Sequence, residues 1–164
     1  MSNGDMSDQA GATRGASADG PTHVVTCFLL RQDEGGDRVL LARRSDRVRT
    51  YRGAWGAISG YVEPGVRPLE QAYQEIGEET GLARVDVALL REGEPLPFRD
   101  ETIAQDWVVH PFLFQALRPD AVRRDWEAHE FAWTPPAAVS GLTTVPKLAE
   151  ALARVYPPAD PAGS

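Results

Sequence analysis

Three glutamates, Glu75, Glu78 and Glu79, recur at helical spacings of three and four within the segment AYQEIGEETGL. Like charges so placed weaken a helix unless something neutralises them. An apolar stripe runs beside them: at 100° per residue, Leu69, Ala72, Tyr73, Ile76 and Thr80 share one side. The carboxylates then occupy an arc of roughly 100° next to that stripe, close to the protein body. A hard divalent cation is the natural neutraliser, since Mg²⁺ takes oxygen ligands and is held by one or two carboxylates plus substrate phosphates. Such a metal screens phosphate charge and acidifies a bound water. A solvated acidic face has the same spacing, so spacing alone leaves both readings open.

The elements around these residues follow from local pattern. Pro68 suits a first helical turn and Gly81 the position just past the end. Gly77, inside the helix, costs about 1 kcal/mol relative to Ala and permits close backbone approach. Upstream, Val24 to Leu30 is apolar and β-branched enough for a strand buried on both faces. Asp33 to Asp37 supplies a turn, and Val39 to Ala42 a partner strand. A further strand is expected over Trp55 to Val62, leading into the helix, and others over Val85 to Leu90 and Trp107 to Phe114. Pro111 predicts an edge or a bulge in the last of these. An amphipathic helix is expected from Pro146 to Tyr156, capped by Thr144.

The segment Gly60 to Leu82 resembles the signature of the Nudix hydrolase family. That signature runs glycine, five residues, glutamate, seven residues, Arg-Glu, an aliphatic residue, any residue, Glu-Glu, any residue, glycine and an aliphatic residue. Gly60, Glu75, Ile76, Glu78, Glu79, Gly81 and Leu82 are in register. Val66 stands where the family has its first glutamate, Gln74 replaces the arginine, and Ile58-Ser59-Gly60 replaces Pro-Gly-Gly. In the family that arginine pairs with a box glutamate and braces the loop-helix-loop; Gln74 donates hydrogen bonds without charge. The resemblance implies an α/β fold, a Nudix-type α/β/α sandwich with a mixed β-sheet. It further implies Glu75, Glu78 and Glu79 as ligands of Mg²⁺ or Mn²⁺, with Glu78 or a later glutamate drawing the proton from water.

Nudix enzymes often carry that later glutamate shortly before a tryptophan. Both Glu127 and Glu130 precede Trp133 in WEAHEFAW, and spacing does not choose between them. Five arginines fall between Arg43 and Arg52 against one acid, Asp46. Guanidinium forks suit phosphate oxygens, which makes Arg44, Arg49 and Arg52 candidates for substrate binding. Trp107, with Trp126, Phe98 and Tyr51, could stack on a base. No histidine has metal-ligand spacing, and Cys27 is alone, which excludes a disulfide framework.

Composition narrows the function. With 164 residues the chain fits one domain, expected over 21–157, between a disordered tail at 1–20 and a flexible one at 158–164. A net charge of −7 argues against polymeric nucleic acid and anionic membrane as partners. No run is long enough for a membrane span, and the N-terminus lacks the apolar core of a signal peptide, so a cytoplasmic location is expected. The expected activity is metal-dependent cleavage of a phosphoanhydride in a nucleoside diphosphate linked to another group. The alternatives are a catalytically weak nucleotide-binding or regulatory module, and a diphosphate isomerase on the same fold. A small-molecule nucleotide is the expected partner, with a homodimer left open.

Overall fold

The computed structural model describes residues 20–45, 50–123 and 130–158. Most of the expected N-terminal tail and of the C-terminal one lie outside those residues. The run from Val24 to Leu30 forms the centre of β1 (Thr22–Asp33), with Val25, Cys27, Phe28, Leu29 and Leu30 fully inaccessible. A strand buried on both faces needs partners on both edges, and β1 has them. It pairs antiparallel with β2 (Gly36–Arg43) across the expected turn. Further along the same edge it pairs with β4 (Ile58–Tyr61), where Val25 faces Gly60. On its other edge it runs parallel to β7 (Gln105–Ala116).

The remaining strands extend this mixed sheet. β3 (Trp55–Gly56) and β8 (Glu130–Thr134) both pair with β2, while β5 (Val87–Glu92) and β6 (Leu96–Asp100) pair with β7. Helix α1 (Pro68–Thr80) covers one face, where Ala72 and Ile76 meet Val25, Cys27, Leu29, Phe112 and Phe114. Helix α2 (Leu148–Ala153) covers the other, where Leu148 and Leu152 meet Val24, Phe28, Leu30 and Val109. Each buried Val, Leu, Ile or Phe among them contributes about 1.5–3 kcal/mol, so the sandwich is held from both faces. Among the described residues no helix is long and apolar enough to cross a membrane.

Several expectations need correction. The strand expected over 55–62 breaks at Ala57, because β3 follows β2 while β4 follows β1. Pro111 lies inside the sheet, buried and paired with Thr26, at the point where β7 changes partner from β6 to β5. The missing N–H is tolerated there, and its carbonyl accepts from Gly93 N at 2.9 Å. Residues 84–86 form a turn of 3₁₀ helix, so β5 starts only at Val87. The last helix is shorter than its pattern and Thr144 does not cap it. Trp55 N donates to Thr143 O and Val145 N to Trp55 O, both at 2.9 Å, which draws that segment alongside β3. Lys147, at φ 67, is the residue that opens the helix.

Candidate functional site

Helix α1 delivers Glu75 into the protein. Pro68 occupies its first turn, and Gly81 ends it at φ 80 with its N–H on Gly77 O. Thr80 tightens this end, its hydroxyl donating to Ile76 O at 2.6 Å and accepting from Leu82 N at 3.1 Å. Gln71, Ala72, Glu75 and Ile76 form the buried face, so a carboxylate and an amide sit where the stripe alone would place hydrocarbon.

The space for that carboxylate is made by Gly60 on β4. A Cβ built there would lie 2.2 Å from Glu75 Cδ and 2.4 and 2.6 Å from its two oxygens. Gln71 Nε2 donates to Glu75 Oε2 at 2.9 Å, and Gln71 Oε1 accepts from Glu63 N at 3.1 Å. The Glu79 carboxyl lies close enough to Glu75 to share a proton with it, while the charges of Glu78 and Glu63 act on it from further off. Burial, aided by those two charges, pushes Glu75 up to about 7; the hydrogen bonds from Glu79 and Gln71 pull the other way. Beneath lies Cys27, whose thiol is raised by burial and then by Glu79 and Glu75.

The donor set fits a hard cation. Glu75 Oε1 and Glu78 Oε1 are buried with no hydrogen-bond partner among the described residues. Orphaned anionic oxygens are costly unless something charged meets them. Among the described residues no three His, Cys, Asp or Glu side chains gather closely enough to enclose a metal by themselves. A cation held here would therefore need water and substrate phosphate to complete its shell.

The other candidates are placed unevenly. Glu130 begins β8 and is engaged by Arg43, Nη1 to Oε1 at 3.2 Å. Arg43 Nε also donates to Gly53 O, closing the base of the arginine loop. Arg44 donates through Nε to Thr50 O at 3.1 Å and lies 5.9 Å over the Tyr51 ring. Arg52 is exposed on the same loop. Arg49 and Glu127 lie outside the described residues, as do Trp126 and His129. Trp107 does not serve as a stacking platform. Only 4 % exposed, it stacks on Tyr61 at 6.4 Å inside the core. Tyr51 is half-buried, its hydroxyl on Asp100 Oδ2. His110 Nε2 meets His23 Nδ1 at 2.9 Å across β1 and β7, a structural pairing.

Gln71 and Glu63 are the residues that sequence reasoning missed. The helical wheel held a signal for the first: Gln71 sits one turn before Glu75, beside Ala72. Nothing in the sequence marks the Glu63 N–H as its partner.

An RNA pyrophosphohydrolase of Halorhodospira halophila (strain DSM 244 / SL1) is 41% identical over 63 residues, 38% of this chain and 31% of that protein. The match therefore spans less than a third of that relative's length. A C. elegans Ap4A hydrolase in a binary complex superposes with a TM-score of 0.68 at 18% identity, over 81% of this chain and 93% of that one. RenU, a Nudix hydrolase from M. smegmatis, gives 0.68 at 19% identity, over 85% and 89%. At such identities the likeness establishes the fold. Residues 21–157 match the NUDIX domain model, and with the helix carboxylates in register the chain belongs to the Nudix family.

Proposed function

We propose that the protein hydrolyses a phosphoanhydride in a nucleoside diphosphate linked to another group, with Mg²⁺ or Mn²⁺ held by carboxylates of the set Glu75, Glu78 and Glu79 and its shell completed by water and substrate phosphate. The observation that carries this reading is the buried Glu75 carboxylate, cradled by Gly60 and with no donor on Oε1 among the described residues. The metal would supply charge neutralisation at the phosphates and a more acidic water. Glu78, half-buried and held through Oε2 by Gln74 at 3.2 Å, keeps Oε1 for accepting a proton. Glu127 remains the late-loop candidate, because Arg43 already engages Glu130. Arg44 and Arg52, with Arg49 from the same loop, would hold the neighbouring phosphates. The RNA pyrophosphohydrolase and Ap4A hydrolase relatives are named for substrates that contain such a linkage, which supports the bond type and leaves the base open.

A resemblance to the isomerases of this fold would call for a cysteine paired with a glutamate. Cys27 is fully buried with its thiol raised, so this alternative loses its candidate. The test is a panel of nucleoside triphosphates, dinucleoside polyphosphates and nucleotide sugars incubated with Mg²⁺, read by nucleotide and phosphate release. Turnover on any member that Glu79→Gln abolishes supports the hydrolase. Nucleotide binding without turnover would favour the regulatory module.

A further inference from the structure

We propose that Gln71 is the positioning residue of this site, tying the loop after β4 to the Glu75 carboxylate and leaving Glu75 Oε1 as the oxygen presented to a cation. The inference rests on the metal reading above and adds the residue that makes it work in this chain. Position 74, where the family signature has its arginine, cannot do this. Gln74 is exposed, and among the described residues its side chain bonds Glu78. Gln71 is fully buried and uses both ends of one amide.

The chemistry fixes which end faces which partner. The Glu63 backbone N–H can only donate, so the Gln71 carbonyl oxygen must face it, at 3.1 Å. The NH₂ group then faces Glu75 and finds Oε2 at 2.9 Å. An amide flip would set two donors against each other and two acceptors likewise, a double loss in a buried place. Glu75 is thus held on two sides. Gly60 leaves no room behind its Cδ, and Gln71 occupies Oε2. Among the described residues no donor reaches Oε1, the oxygen on the side away from Gln71. The same amide fixes the loop, since Glu63 lies between β4 and helix α1.

The experiment is Mn²⁺ titration without nucleotide, with amide hydrogen exchange at Glu63, on the parent, Gln71→Met, Glu75→Gln and the double variant. Methionine matches glutamine in length and keeps the site filled while removing both hydrogen bonds. Loss of a residue that orients a ligand commonly costs about 10-fold to 100-fold in metal affinity, and Gln71→Met should fall in that range. The Glu63 amide should exchange faster. The double variant should bind no more weakly than Glu75→Gln alone, because Gln71 acts through Glu75. Should Gln71→Met fail to fold, Gln71→Asn keeps the amide but is one methylene too short to span both partners, and it should weaken Mn²⁺ in the same way. Unchanged Mn²⁺ affinity in the folded Gln71 variant, with Glu75→Gln impaired, would overturn the positioning role. Unchanged affinity in Glu75→Gln would instead sink the metal assignment itself.

Discussion

A single methyl group at Gly60 is the sharpest probe of this site. The added Cβ would sit 2.2 Å from Glu75 Cδ, more than 1 Å short of ordinary contact, which begins at 3.4 Å. No left-handed backbone is involved at Gly60, so the whole effect of Gly60→Ala is the collision. Glu75 cannot easily step aside, because it is fully buried and Gln71 holds Oε2. Overpacking of a filled interior costs about 1–3 kcal/mol. For a chain of this size that corresponds to a fall in melting temperature of about 2–10 °C. A displacement of this order in a reacting geometry costs roughly 100-fold in rate. Thermal unfolding and turnover should be measured together, and repeated in a Glu75→Ala background. Removing the carboxylate makes room, so the thermal penalty of Gly60→Ala should largely vanish there. A penalty that persists undiminished, or a Gly60→Ala variant with parental stability and turnover, refutes the cradle.

Other consequences can be checked with simpler variants. Glu79→Gln should lower turnover by at least 100-fold while the fold is retained, since a ligand should cost no less than the residues that support ligands; far-ultraviolet circular dichroism and initial rates decide it. Arg44→Ala should raise KM more than it lowers kcat, and its catalytic efficiency should depend less steeply on salt than the parent's. Equal salt slopes would remove Arg44 from phosphate binding. Burial and the adjacent His23 hold His110 below its ordinary 6.5, so the unfolded chain binds the proton more readily. Stability should therefore be full above that value and decline as pH falls below it, and His110→Asn should flatten the decline in a pH series of melting temperatures.

The helix carboxylates were legible because everything that marks them is local. Their spacing, the proline and glycine at the helix ends and the glycine before the loop fall within 23 residues. Trp107 was misjudged for the opposite reason. Its burial depends on Tyr61, brought alongside by the pairing of β4 with β1, and no window around Trp107 contains that partner. β8 escaped notice because Glu130–Thr134 is short and partly exposed, and becomes a strand by pairing with β2 some ninety positions earlier. The final helix was overextended because its pattern could not register that Trp55 claims the backbone at 143 and 145.

The departure from the family signature at position 74 illustrates how far a local pattern can carry. Read in isolation, the missing charge at 74 implies a loosened site, because an uncharged amide is a weaker brace than a guanidinium. That argument assumes bracing must come from position 74. Here the exposed Gln74 serves Glu78, while an amide one turn before Glu75, shielded from water, bonds Glu75 itself. In a buried setting a hydrogen bond meets less competition from solvent, so a neutral donor can hold a carboxylate where an exposed one could not. Whether a box is degenerate therefore depends on which side chains reach the carboxylates once the loop has folded over them.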